Sequence, residues 1–170
     1  MALIKSVRGM TPVIGNNCYL AETATIIGEV EMGEDCSVWF NAVVRGDVNS
    51  IKIGKQTNIQ DNAVIHCTYQ TAPTVIGSQV SIGHNAIVHG CTIEDNVLIG
   101  MGAIVMDHAH IQSNVFVAAG SIVLEKSILE SGYLYAGIPA KKIKPLDDNL
   151  KAILTRISGN YIKYASWFQE

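Results

Sequence analysis

No stretch of this 170-residue chain reaches the ~18 consecutive apolar residues that a membrane span requires. Basic blocks are also missing: 12 Lys and Arg stand against 15 Asp and Glu, for a formal net charge of −3. Neither a nucleic acid nor an anionic membrane is therefore an expected partner. The first ten residues carry Lys5 and Arg8 but no apolar core of the secretory kind. No signal peptide is expected, and a cytoplasmic location follows. Cys18, Cys36, Cys67 and Cys91 show no CxxC spacing, so no disulfide framework is expected in a chain of this size. Aromatic residues are few, at 6%. The length suits one domain, residues 1–170, with a sizeable core.

What the chain has instead is glycine after an aliphatic residue, at Ile14-Gly15, Met32-Gly33, Ile53-Gly54, Ile76-Gly77, Ile82-Gly83 and Ile99-Gly100. An aliphatic residue leads each of eighteen six-residue units. Ile14, Leu20, Ile26, Met32, Val38 and Val44 follow at steps of six. After a step of nine come Ile53, Ile59 and Ile65, and after a step of eleven Ile76, Ile82 and Val88. A step of five then leads to Ile93, Ile99, Val105, Ile111, Val117 and Val123. Position five of the unit is small in many cases, as at Ala24, Ala42, Ala63, Ala86 and Ala103. A period of six suits neither an amphipathic helix nor an alternating strand. It fits a parallel β-helix of triangular section, with position one inward and three units per coil. The expected fold is all-β, with about six coils over 12–130. The pattern resembles the left-handed parallel β-helix of the hexapeptide-repeat, or isoleucine-patch, superfamily, and the left hand is implied by that resemblance.

The two long steps predict loops, one around Val48, Asn49 and Ser50, the other over 67–74. The repeat fades after Ser127, and 131–146 reads as a connector ending at Pro145. Asp147 or Asp148 can cap a C-terminal helix over 147–168. Its apolar residues Leu150, Ile153, Leu154, Ile157, Tyr161, Tyr164, Ala165 and Phe168 recur at helical spacing. They are expected to pack along the prism or into a subunit contact.

The register places three of the five histidines. His66 and His89 each stand at position two of units three apart, so they share a wall, one coil apart. Strand spacing of about 4.8 Å lets both imidazoles reach one ion, given metal–nitrogen bonds of about 2.0–2.1 Å. His84, at position three of the unit led by Ile82, lies on a neighbouring wall. A three-histidine site therefore calls for a second subunit, and a cyclic homotrimer is the simplest closed solution. Arg45 and Asp47 fall on the His66 wall, while Gln60 and Asp61 fall one coil below His84. If the two walls meet across an interface, Arg45 faces Asp61 and can bond it bidentately. Arg45 and Asp47 also suit a plain strand-end ion pair, and Gln60 a simple interface hydrogen bond. A lone outward histidine is usually a surface residue, which is how His108 and His110 are read. Cys67 adjoins His66, but a fourth protein ligand would close the site and make it structural. Cys18 and Cys36, at position five one coil apart, read as small core residues.

Arg45-Gly46-Asp47, Asn58-Ile59-Gln60-Asp61, His66, and Gly83-His84 with His89-Gly90-Cys91 together resemble the gamma-class carbonic anhydrases and their shorter YrdA/PaaY-like bacterial homologues. The resemblance covers nearly the whole chain. It implies a homotrimer with Zn(II), or Fe(II) or Co(II), at each subunit interface. His66 and His89 would come from one chain and His84 from its neighbour. It implies further that Gln60 holds the reacting water or hydroxide, that Arg45 and Asp61 pair between subunits, and that Asp47 and Tyr135 stand near the site. The substrate pair would be CO2 and bicarbonate. Two features depart from the family's pattern. Val48 stands where studied members carry a glutamate, and the 67–74 loop lacks the acidic residue that moves protons. Weak, conditional or buffer-dependent hydration is the expectation. Three other functions fit the same scaffold: an ester or thioester hydrolase, an acyltransferase, and a non-catalytic trimer locked by metal.

Overall fold

Stacking of like residues organises the chain. The structure, a computed structural model, describes residues 1–168. Ile4, Ile26, Val44, Ile65, Val88, Val105 and Val123 follow one another in parallel register up a first wall. A second wall carries Ile14, Met32, Ile53, Ile76, Ile93, Ile111 and Leu129. A third carries Leu20, Val38, Ile59, Ile82, Ile99, Val117 and Tyr135. The result is a β-solenoid of about 7 turns with one helix at its C-terminal end.

Position one is the core. Ile26, Val44, Ile65, Ile82, Val88 and Ile99 have no exposed surface, and burying each such side chain contributes roughly 1.5–3 kcal/mol. Position four makes the corner. Asn17, Asn41, Asn62, Asn85, Asn96 and Asn114 all take the left-handed conformation there, with φ between 55° and 61°. That conformation costs most L-residues about 1–2 kcal/mol but suits Asn and Gly. Position five then turns inward with little room, so Ala63, Ala86 and Ala103 fill it and are fully buried. The aliphatic-glycine pairs have a steric cause. A Cβ on Gly54 would meet the Gly77 backbone of the next turn at 2.5 Å.

Departures from the six-residue step all fall at one edge, where the chain passes from the first wall to the second. The steps Val44 to Ile53, Ile65 to Ile76 and Val88 to Ile93 lie there, as does Ile4 to Ile14. Thr25–Met32 and Val43–Ile53 run round this edge as unbroken strands.

The solenoid is longer than the expected six coils over 12–130. Leu3–Lys5 adds a rung before it, pairing with Thr25–Met32. Tyr133–Ala136 adds one after it, pairing with Phe116–Val117, so the presumed connector begins as solenoid. Val123, Leu129 and Tyr135 keep the step of six, but an aromatic residue at position one hides the last unit. Lys141–Pro145 then returns antiparallel to Tyr133–Ala136.

Asp147 caps the helix Asp148–Ser166, its Oδ1 accepting the Leu150 N–H at 3.0 Å. The helix lies on the third wall. Tyr161 meets Trp39 edge-on with centroids 5.4 Å apart, and Phe168 packs against Tyr19, Trp39 and Phe40. The helix therefore flanks the wall that carries His84.

Candidate functional site

His66 and His89 end the paired strands Val64–His66 and Ile87–His89 and stand directly in register. Their ring centroids are 5.0 Å apart, and His66 Nδ1 lies 3.0 Å from His89 Nε2. Each ring turns its other nitrogen to a carboxylate. His66 Nε2 lies 3.1 Å from Asp47 Oδ1, and His89 Nδ1 lies 2.5 Å from Asp107 Oδ1. Imidazole must donate to a carboxylate, which accepts only. With the outer N–H of each neutral ring so used, the two inner nitrogens face each other as acceptors. Such an arrangement is repulsive unless a proton or a cation sits between them.

At His66, local electrostatics disfavours the proton. Burial pushes the His66 imidazole below its ordinary value, with the Arg45 and His89 charges adding to the effect against the Asp47 bond. Burial also acts to raise the Asp47 and Asp107 carboxyls. Bonds from His66 and Arg45 to the first, and from Thr68 and His89 to the second, outweigh it and hold both below the usual carboxylate range. Both acceptors thus stay ionised.

His84 lies on the third wall, where its Nδ1 is 2.8 Å from Asp61 Oδ2. Its backbone N–H donates to Gln60 Oε1 at 3.2 Å, and Gln60 Nε2 donates to Asn58 Oδ1 at 3.0 Å. Asn58 Nδ2 in turn donates to Ser81 Oγ. This buried amide ladder fixes Gln60 beneath His84. The third histidine thus repeats the pattern of the other two, one ring nitrogen on an aspartate and the other directed elsewhere. A cavity of about 410 Å³ opens beside His84 and Gln60, between the third wall and the helix, lined by Leu98, Met101, Phe116, Ile157 and Tyr161 among others.

Among the described residues of the single chain, no three His, Cys, Asp or Glu side chains converge as a metal site. His66 and His89 are brought together, with Asp47 and Arg45 beside them. His84, Gln60 and Asp61 form a second cluster on another wall.

The family model for the bacterial transferase hexapeptide (six repeats) matches residues 11–46 and 90–125. Protein YrdA of Escherichia coli K12 is 42% identical over 95% of this chain and 91% of its own. A protein of Geobacillus kaustophilus named carbonic anhydrase is 41% identical over 98% of this chain and 91% of its own. The crystal structure of a hexapeptide transferase family protein from Anaplasma phagocytophilum superposes with a TM-score of 0.94, at 38% identity and 98% coverage of both chains. The chain belongs to the hexapeptide-repeat family of YrdA and the gamma carbonic anhydrases.

The gamma carbonic anhydrase motifs occupy different places in the fold. Arg45 Nη1 donates to Asp47 Oδ2 at 2.5 Å within its own chain, an ion pair inside the strand Val43–Ile53 rather than at a strand end, while Asp61 serves His84. Tyr135 is not brought to either cluster. It stands at position one of the last turn, three turns beyond Ile82, and its hydroxyl accepts the Glu130 N–H at 2.8 Å. An inward column position keeps it in the core, so it is not a site residue of its own chain. Cys67 also points inward, its thiol donating to Asn49 O, and burial raises its pKa. His110 bonds Glu94 on the surface, away from the site. Asp107 and Thr68 were not foreseen. Position three of the unit one turn beyond His89's points to Asp107, whereas Thr68 lies in a loop outside the period. Among the described residues, no helix is long and apolar enough to cross a membrane.

Proposed function

We propose that this chain is a metal-dependent carbonic anhydrase of the gamma class that interconverts CO2 and bicarbonate. It would act as a homotrimer with one divalent ion, Zn(II), Fe(II) or Co(II), at each subunit interface. His66 and His89 would hold the ion from one subunit and His84 from the next. The observation that carries this reading is the facing pair of acceptor nitrogens, 3.0 Å apart, on His66 and His89. Two nitrogens on one tetrahedral ion at about 2.0–2.1 Å lie roughly 3.3 Å apart, so the pair fits with a slight opening. Carboxylates on the outer nitrogens suit it too, since such partners fix ring orientation and raise ligand basicity. Ligation also requires neutral imidazole, the form that burial favours at His66.

When bound in a three-nitrogen site with an open position, such an ion makes hydroxide available near neutral pH. The chain's own residues supply the rest. Gln60 spends one Nε2–H on Asn58, and the other would hold and orient a reacting water. Asp61 fixes the His84 ring through Nδ1, leaving Nε2 to point at the neighbouring subunit. Arg45, half-exposed on its wall, would bridge to Asp61 of that neighbour and set the interface register. No acidic side chain in the 67–74 loop takes the product proton, so soluble buffer would carry it.

Metal analysis combined with stopped-flow CO2 hydration tests the reading. A trimer holding about one ion per chain, with turnover that rises on adding imidazole, is the expected result. A fully loaded trimer that hydrates no CO2 at any buffer concentration overturns it.

The cavity beside His84 favours a second reading. Its volume of about 410 Å³ and its apolar lining suit an acyl or aryl group better than CO2. The same centre would then hydrolyse an ester or thioester, and turnover of p-nitrophenyl esters and acyl-CoA by the loaded protein separates the two.

A further inference from the structure

Asp107 stands at position three of the unit led by Val105, one turn beyond the unit that holds His89. Its two oxygens have different partners. Oδ1 lies 2.5 Å from His89 Nδ1, and Oδ2 accepts the Thr68 hydroxyl at 2.5 Å. Thr68 is the second residue of the 67–74 loop that follows His66. That loop is closed on itself, Thr68 N–H donating to Ala72 O at 3.0 Å and Ala72 N–H to Thr68 O at 3.3 Å. Its far end is tied down as well, because Thr74 Oγ1 donates to His66 O and accepts the Gly90 N–H at 2.9 Å.

Gly90 shows that the arrangement is built into the chain. It follows His89 with φ of +54°, and a Cβ there would meet Asp107 Oδ1 at 2.6 Å and Ala72 Cβ at 2.8 Å. Only a glycine lets the carboxylate lie across this turn with the loop packed over it. Three segments distant in sequence, the loop, the turn after His89 and the next coil, therefore meet at one carboxylate.

We infer that Asp107 and Thr68 are positioning residues for His89, a clasp that ties the 67–74 loop to the orientation of that imidazole. The inference rests on the metal reading above and adds to it. Asp107 takes the His89 Nδ1–H, so the Nε2 lone pair faces His66. Thr68 holds the second carboxylate oxygen, so the carboxylate cannot swing away without opening the loop. An ion that fixes His89 accordingly also steadies the loop.

The experiment compares wild-type protein with Asp107→Ala, Thr68→Val and Thr68→Ser. Zn(II) affinity is measured by competition with a chromogenic chelator, and amide exchange of the 67–74 peptide is followed with and without Zn(II). Asp107→Ala should weaken Zn(II) binding about 10–100-fold, the usual effect of losing such a partner. Thr68→Val should weaken it less and abolish the Zn(II)-dependent slowing of exchange in the loop. Thr68→Ser should restore both. Far-UV circular dichroism checks that the variants fold, and Thr68→Val, nearly isosteric, keeps the test open if Asp107→Ala does not. Affinity within about twofold of wild type in both Asp107→Ala and Thr68→Val, far below the usual range, overturns the clasp and leaves the metal reading standing. A wild-type protein that takes up no divalent ion overturns both.

Discussion

His66 Nδ1 and His89 Nε2 face each other 3.0 Å apart, one turn of the solenoid separating the strands that carry them. Each ring is turned by an aspartate of its own, Asp47 for His66 and Asp107 for His89. On the reading proposed above, this pair would supply two ligands from one chain and leave the third to another wall, where His84 carries its own aspartate.

Replacing His84 therefore tests metal and assembly together. His84→Ala should lower the metal content of the purified protein and shift its mass in light scattering from trimer toward smaller species. Stripping the wild type with a chelator should have the same effect on mass. Unchanged metal content in the variant would show that His84 is not a ligand.

Hydration should be limited by proton removal. The 67–74 loop has no acidic residue, and Thr68 in it is committed to Asp107. Glutamate placed at Tyr69 or Gln70, both exposed, should raise the buffer-free rate and reduce the response to imidazole. Steady-state rates at several imidazole concentrations check this, and an unaltered response would place the limit elsewhere.

Column residues should dominate stability. Ile82→Ala, at a site with no exposed surface, should cost about 2–5 kcal/mol in urea unfolding. Ile128→Ala, at a side chain 66% exposed, should change stability by less than about 0.5 kcal/mol.

The corner position predicts a gain. Lys126 sits at φ of +60° at position four of its unit, where six units use Asn and Gly102, Gly120 and Gly132 serve in three others. Lys126→Gly relieves a strain of about 1–2 kcal/mol, partly offset by greater freedom of the unfolded chain. A higher melting temperature is expected, and a lower one would show that the left-handed corner is not strained for lysine.

Acid should weaken one surface tie between turns. The Ser113 N–H and hydroxyl and His110 all bond Glu94, and the Ser113 backbone bond leads the set in holding the carboxyl below its ordinary value. With the folded-state value depressed, the stabilisation is present above about pH 4.3, the unfolded value, and is lost as pH falls through the folded one. The difference in melting temperature between wild type and Glu94→Gln should shrink between pH 7 and pH 3.

Much of this was legible in the sequence because the fold repeats. Ile59, Ile65, Ile82 and Val88 fixed the walls by their spacing, and the walls placed His66 over Arg45 and His84 over Asp61. What escaped lay outside the period or at its ends. Ile4 is separated from Ile14 by a step with no repeat in it, and Tyr135 hides its column behind an aromatic ring. Thr68 acts from a loop whose path no periodicity predicts. The expected Arg45–Asp61 pair would need a second chain, and in one chain Arg45 turns to Asp47.

The irregular steps, all gathered at the edge between the first and second walls, make that edge the fold's hinge of innovation. Segments can be lengthened, shortened or swapped there while every hydrophobic column keeps its alignment. The edge also borders the wall of His66 and His89. A lineage built on this solenoid can thus change how the His66–His89 pair meets solvent by editing a hairpin rather than a scaffold. An engineer can do the same, transplanting an acidic loop into 67–74 as a single cassette.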